Sequence, residues 1–118
     1  MHELALAREA VRLVTADAAR RGCRRVTAVR LLCGELTAVL PEALQFAFAC
    51  ASRGTLVEGA ALEIATAPAR AQCPECGQEF HPDAWLLLCP RCHTAGAQLL
   101  AGRELEVLSY EGHLASEE

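Results

Sequence analysis

Two cysteine pairs in the second half of the chain restrict its fold more than any other feature. Cys73 and Cys76 are separated by two residues, and the same spacing recurs at Cys89 and Cys92 after twelve intervening residues. Two intervening residues let both thiolates of a pair point at one centre, so two pairs supply the four ligands of a tetrahedral Zn²⁺ site. Because four thiolates fill the coordination sphere, no position stays open for a reactive water. The pattern predicts a structural zinc site.

Two other interpretations of these cysteines are a pair of disulfides and a thioredoxin-like redox pair. The duplicated spacing, the lack of a secretory signal before it and the lack of a surrounding βαβ pattern all favour zinc. The remaining cysteines, Cys23, Cys33 and Cys50, lie among apolar or small residues, which suits reduced and packed thiols. A thiol redox switch stays an alternative function, and it predicts reversible zinc loss under mild oxidation.

Length, composition and charge exclude several classes of function. With 118 residues, 53% hydrophobic and 22% charged, the chain can bury one modest core and carry a small appended module. Its apolar stretches are shorter than a membrane span, so we expect a cytoplasmic chain without a membrane partner. A net charge of −4 argues against a surface for phosphate backbones, so no nucleic-acid partner is expected. A zinc-ribbon nucleic-acid or transcription adaptor stays open as the alternative that the cysteine pairs alone would allow.

Hydrophobic periodicity predicts two helices and three strands around the cysteine pairs. The helices are predicted at residues 3–21 and 41–53, and the strands at residues 26–36, at residues 60–67 and from residue 103. Phe46 and Phe48 of the second helix are both predicted to lie in the core, because no basic residues alternate with them as in a base-stacking surface. The fold class is α+β: a small three-stranded sheet with two helices plus an inserted zinc-ribbon-like module.

The zinc module is predicted to interrupt the α+β domain between its last two strands. Within it, residues 86–88 are expected to form a short strand, and Phe80 and Trp85 a small core that needs the metal to fold. The module is assigned to residues 70–101, and the surrounding domain to residues 1–69 and 102–118.

The first three residues form a second candidate metal site. The α-amine of Met1, the amide nitrogen of His2 and its imidazole lie close enough to chelate a metal in fused rings, and the Glu3 amide can complete the plane. Four nitrogens in a square suit Ni²⁺ or Cu²⁺ rather than Zn²⁺. Alone, a histidine at position 2 is weak evidence, because it could simply be a polar residue before a helix. Glu3 could likewise only complement the helix N-terminus.

Several segments, in their order and spacing, resemble one protein family across essentially the whole chain. They are the initial Met-His-Glu, Gly-Glu-Leu at 34–36, Pro-Glu-Ala-Leu-Gln-Phe-Ala-Phe at 41–48, Gly-Ala-Ala-Leu-Glu-Ile at 59–64, the cysteine pairs and Gly-Arg-Glu-Leu at 102–105. This combination resembles the HypA/HybF family of hydrogenase nickel-insertion accessory proteins. The resemblance implies a nickel metallochaperone, a binding and transfer protein rather than an enzyme.

The resemblance also implies the metal ligands and the partners. Ni(II), the transferred cargo, would bind at His2 with the Met1 amine and the Glu3 amide, which makes residues 1–69 and 102–118 the nickel-binding domain. The implied partners are a HypB-type GTPase and the large-subunit precursor of a [NiFe] hydrogenase. Since some family members also serve urease, urease maturation proteins are further candidates. Zn(II) would be structural, held by Cys73, Cys76, Cys89 and Cys92.

Four other polar residues have open roles at the sequence level. His81 and His93 lie near the cysteine pairs, so each could act outside the zinc shell, exchange with a thiolate, or remain a solvated side chain. His113 is expected in a C-terminal tail. Glu42, near the start of the second helix, is a candidate for a further nickel contact.

Overall fold

The described part of the chain, residues 2–82 and 87–115 of a computed structural model, contains two α-helices, one short 3-10 helix and six β-strands. The helices are α1 (Glu3–Arg20) and α2 (Pro41–Ala51), and the 3-10 helix spans Glu35–Thr37. The strands are β1 (Cys23–Gly34), β2 (Ala61–Ala67), β3 (Arg70–Gln72), β4 (Glu79–Phe80), β5 (Gln98–Ala101) and β6 (Leu105–Leu114).

Helix α1 forms where the apolar periodicity predicts it. Its buried residues recur every three or four positions, as one face of a helix requires. They are Ala7, Ala10, Val11, Val14 and Ala18. Gly22, with φ +77°, adopts the left-handed conformation that ends the segment. Neither helix in the described residues is long and apolar enough to cross a membrane.

Helix α2 begins at Pro41 and packs against α1. Its buried residues include Leu44 and Phe48, but the prediction that Phe46 lies in the core is wrong, because Phe46 is 73% exposed. Two helical positions correspond to a rotation of about 200°, so Phe46 points away from the face that carries Leu44 and Phe48.

A three-stranded sheet in the order β2-β1-β6 forms within the described residues. In the central strand, Val29, Leu31 and Cys33 are buried, which is the expected alternation. The strand predicted at residues 26–36 instead begins at Cys23 and ends at Gly34, where the chain turns into the 3-10 helix. Strand β6 reaches Leu114, so the expectation that His113 lies in a tail is wrong.

The described residues contain a second three-stranded sheet, in the order β4-β3-β5, whose strands flank the cysteine pairs along the chain. Its strands are antiparallel, and Ala71 of β3 lies opposite Phe80 of β4 and Leu99 of β5. The prediction of a strand at residues 86–88 is wrong for residues 87 and 88, because Leu88 forms only an isolated bridge with Ala95. Residue 86 and Trp85 lie outside the described residues.

The chain divides into two compact units. The first comprises Met1–Leu32, Val39–Ala65 and Glu106–Glu118, and the second comprises Cys33–Ala38 and Thr66–Leu105. Both α-helices lie in the first unit, and both cysteine pairs lie in the second. The α+β fold class is confirmed: two helices, a small three-stranded sheet and an inserted module built around four cysteines.

Candidate metal centres

The structure brings the four predicted cysteines together. Among the described residues, the Sγ atoms of Cys73, Cys76, Cys89 and Cys92 form a cluster in which all lie within 4.8 Å of one another. The Sγ of Cys73 lies 3.4 Å from that of Cys92, and the Sγ of Cys76 lies 3.7 Å from that of Cys89. A tetrahedral zinc with Zn–S distances near 2.3 Å would place its sulfurs about 3.8 Å apart. The donor set and its spacing therefore fit such an ion.

The first cysteine pair is shaped by a tight turn. The N–H of Gly77 donates to the carbonyl of Cys73 at 3.0 Å, and the N–H of Cys73 donates to the carbonyl of Gln78 at 3.0 Å. Gly77 has φ +75°, a left-handed conformation that glycine adopts without a steric penalty. This turn brings Cys76 back beside Cys73.

The second cysteine pair repeats this turn with different residues. The N–H of His93 donates to the carbonyl of Cys89 at 2.9 Å, and the N–H of Cys89 donates to the carbonyl of Thr94 at 3.1 Å. His93 has φ +61°, so a residue with a Cβ occupies the position that Gly77 fills in the first turn. The local backbone strain is therefore greater in the second turn.

Hydrogen bonds to sulfur are concentrated at the second pair. The hydroxyl of Thr94 lies 3.1 Å from the Sγ of Cys92, and the N–H of Arg91 donates to the Sγ of Cys89 at 3.4 Å. The Thr94 hydroxyl, then the Thr94 backbone N–H and the Cys73 thiol, lower the pKa of Cys92 to about 6. Such donors favour the thiolate, which is the form that binds a metal.

The four cysteines of the cluster differ in burial. Cys73 and Cys89, the first cysteine of each pair, are buried, whereas Cys76 and Cys92 are exposed. Four thiolates would complete a tetrahedral shell, so exposure gives solvent access to two sulfurs without opening a coordination position. The arrangement suits a structural ion.

The N-terminal candidate site is described from His2 onward, and Met1 lies outside the described residues. His2 is exposed and precedes the first residue of α1, and its side chain does not cap that helix. The carboxylate of Glu3 accepts a hydrogen bond from the N–H of Leu40 at 3.0 Å. This bond, to the residue that precedes α2, is the main cause that lowers the pKa of Glu3. Glu42 is exposed in the first turn of α2.

His81 binds a carboxylate rather than the sulfur cluster. Its Nε2 lies 2.8 and 2.9 Å from the two carboxylate oxygens of Glu35. Glu35 also accepts a hydrogen bond from the N–H of Ala69 at 2.8 Å. The pKa of Glu35 is lowered, first by the Ala69 N–H and then by His81. Sequence reasoning did not identify this pairing, since Glu35 and His81 lie far apart in the chain.

Sequence reasoning also missed Thr94 as a neighbour of the sulfur cluster. A signal was present: Gly77 and Gln78 follow the first pair, whereas His93 and Thr94 follow the second. Reading the two pairs as copies of one turn would have placed Thr94 next to Cys92.

Comparisons with known proteins agree with one another. Residues 1–112 match the family model described as "Hydrogenase/urease nickel incorporation, metallochaperone, hypA". The chain is 39% identical over 112 residues to hydrogenase maturation factor HypA of Moorella thermoacetica, covering 95% of this chain and 99% of that protein. It is 39% identical over 111 residues to hydrogenase maturation factor HypA of Geobacter metallireducens, covering 94% and 98%.

Solved structures agree with the family match. The solution structure of the Ni metallochaperone HypA from Helicobacter pylori aligns with a TM-score of 0.70 at 25% identity, over 97% of this chain and 99% of that one. A second solution structure of HypA aligns with a TM-score of 0.71 at 25% identity, over 95% and 96%. The chain belongs to the HypA family of nickel metallochaperones that act in hydrogenase maturation.

Proposed function

We propose that the chain binds Ni(II) at its N-terminus and takes part in inserting that nickel into the large-subunit precursor of a [NiFe] hydrogenase. The ligands are the Met1 amine, the amide and imidazole of His2, and the amide of Glu3. The observation that carries the proposal is the match to a nickel-incorporation family from residue 1 to residue 112, which includes the initial Met-His-Glu.

The start of α1 has two features that support this ligand set. Glu3 is the first residue of α1, where backbone N–H groups have no partner within the helix, so the helical ladder does not occupy this nitrogen. The Glu3 carboxylate is engaged by the Leu40 N–H at 3.0 Å. The N–H of Glu3 also donates to its own carboxylate, so metal binding would replace this local hydrogen bond. We assign the Glu3 amide to the metal, and the Glu3 carboxylate to holding the N-terminus of α1 beside the start of α2.

The donor type determines which metals the N-terminus accepts. An amine, amides and an imidazole offer the square of nitrogens that Ni²⁺ and Cu²⁺ prefer. Because Cu²⁺ has the higher intrinsic affinity for such sites, selection of nickel depends on metal supply and on partner proteins. The partners in this proposal are a HypB-type GTPase, the hydrogenase precursor and, where urease is served, urease maturation proteins.

We assign structural Zn(II) to Cys73, Cys76, Cys89 and Cys92. Their sulfurs, all within 4.8 Å of one another, support a tetrahedral ion, and four soft thiolates favour zinc over a hard cation. In this proposal residues 70–101 form the zinc-binding domain, and residues 1–69 and 102–118 form the nickel-binding domain. The zinc is not transferred, because a closed shell offers no position to an acceptor.

A nucleic-acid adaptor is the less supported alternative. Arg20 and Arg21 form a basic cluster with Arg24 and Arg25. Yet Arg20 and Arg21 both pair with the carboxylate of Asp17, which also accepts a hydrogen bond from Tyr110 at 2.6 Å. Paired cations are less available to a phosphate backbone. In the proposed role the chain works in the cytoplasm and performs no catalysis.

Genetic complementation tests the proposal. In a hydrogenase-producing host that lacks its own copy of this protein, the wild-type chain should restore nickel in the hydrogenase large subunit, and His2→Ala should not. Arg8→Ala, which changes another exposed residue of α1, is the matched control and should behave as wild type. Full nickel loading with His2→Ala would contradict the proposal.

A further inference from the structure

The two exposed sulfurs of the cysteine cluster have different neighbours. Cys76 and Cys92 are the second cysteines of their pairs, and both are exposed. The Thr94 hydroxyl lies 3.1 Å from the Sγ of Cys92. Gln78 occupies the equivalent position after Cys76, but its side-chain amide donates to the carbonyl of Glu79 at 2.9 Å. The two halves of the cluster therefore share a backbone turn and differ in this side-chain contact.

The backbone fixes the position of Thr94. Its carbonyl accepts a hydrogen bond from the N–H of Cys89 at 3.1 Å, and the next residue, Ala95, forms a β-bridge with Leu88. Thr94 is half-buried, so water competes less for its hydroxyl than for a fully exposed one. The turn thus fixes the backbone position from which the Thr94 hydroxyl reaches the Sγ of Cys92.

The direction of the Thr94 hydrogen bond follows from the chemistry of a bound metal. Between a hydroxyl and a thiol, either group can donate, but a thiolate that binds a metal carries no proton and can only accept. In the zinc-loaded protein the Thr94 hydroxyl must therefore be the donor.

We propose that Thr94 is a positioning residue of the zinc site, whose hydroxyl donates to the Cys92 thiolate and leaves Cys76 as the more reactive of the two exposed sulfurs. This inference rests on the proposed zinc assignment. With zinc bound, both exposed sulfurs are thiolates, so the hydrogen-bond donor is what distinguishes them. The donor holds the Cys92 sulfur in place and withdraws electron density from it, which slows its attack on an alkylating reagent. The residue at the equivalent position after Cys76 is Gln78, which has no hydroxyl. Opening of the zinc coordination shell therefore begins at the Cys76 sulfur.

Zinc affinity is the first measurement, made by competition with a chromophoric chelator on the full chain. Loss of a hydrogen bond to a metal ligand typically weakens metal affinity by about 10- to 100-fold. Thr94→Val, which keeps the side-chain shape and removes the hydroxyl, should show a loss in this range. Thr94→Ser should stay within about threefold of wild type because the donor is kept, and Gln78→Ala, the matched change after the first pair, should do the same.

Alkylation of the zinc-loaded protein is the second measurement, with the modified cysteines located by mass spectrometry. Iodoacetamide should modify Cys76 before Cys92 in the wild type, and Thr94→Val should remove this order. Thr94→Val with wild-type affinity, or equal modification rates in the wild type, would overturn the role of Thr94 alone. A wild-type chain that binds no zinc would instead overturn the zinc assignment itself, together with this inference.

Discussion

Replacing Gly34 by alanine tests how the second unit is held together. Gly34 has φ −72° and ψ 150°, a conformation that any residue adopts, so its backbone does not require glycine. The surroundings of Gly34 do require glycine. A Cβ on Gly34 would lie 2.2 Å from both the carbonyl carbon and oxygen of Gly102, and 2.6 Å from the nitrogen of Arg103. Carbon atoms normally approach no closer than about 3.5 Å, and these neighbours are all backbone. The two segments must therefore move apart.

The structure indicates the size of the effect. Two backbone hydrogen bonds lie beside this contact, from the Gly34 N–H to the Glu104 carbonyl at 2.7 Å and from the Leu36 N–H to the Gly102 carbonyl at 2.8 Å. Each contributes about 0.5–1.5 kcal/mol, and overpacking adds about 1–3 kcal/mol of strain. Gly34→Ala should thus lower the free energy of unfolding by about 2–6 kcal/mol, a large share of the roughly 5–15 kcal/mol typical of a domain.

Urea unfolding of the zinc-loaded protein, followed by circular dichroism, measures this loss. Gly54→Ala is the matched control, because Gly54 has φ +75° but no atom within 4 Å of an added Cβ. That variant should lose only about 1 kcal/mol, from the left-handed backbone alone. If Gly34→Ala were no less stable than Gly54→Ala, the close approach of Gly34 and Gly102 would not determine the packing of this segment.

Three further predictions concern the metal sites and their surroundings. His93→Gly should raise the free energy of unfolding by about 0.5–1 kcal/mol, since it relieves a left-handed residue at φ +61°, and lower stability in urea would contradict this. Cys73→Ala should abolish zinc binding and disorder residues 70–101 while the helices survive, as zinc analysis and amide exchange would show; full zinc content would contradict it. Glu3 has a pKa lowered from 4.5, so its bond to the N–H before α2 stabilises the fold above that pH and is lost as the pH falls through the lowered value. Glu3→Gln should therefore flatten the pH dependence of stability in this acidic range, and an unchanged profile would exclude the bond as its source.

The helices and the cysteine cluster could be predicted because their determinants are local. An apolar residue every three or four positions defines the buried face of α1, and two residues between cysteines are enough to pair their sulfurs. The same periodicity places Phe46 opposite Leu44 and Phe48, so the position of Phe46 in the helix, and not its apolar character, determines its exposure.

Other features depend on contacts between distant segments and could not be predicted. Strands β3, β4 and β5 contain three, two and four residues, too few for a period of two to stand out. The pairing of Glu35 with His81 joins residues that are neighbours only after folding. The ligand role of Met1, His2 and Glu3 stays a prediction, supported by the family and by the position of Glu3.

Nickel titration of three chains tests the central claim most directly. The three are the untagged protein, the same protein with a few residues added before Met1, and His2→Ala. The extension leaves every side chain in place and removes only the terminal amine, so an imidazole or carboxylate site would tolerate it. The account predicts tight nickel binding by the untagged chain alone, with zinc retained at one ion per chain in all three. Equal nickel affinity across the three chains would contradict it.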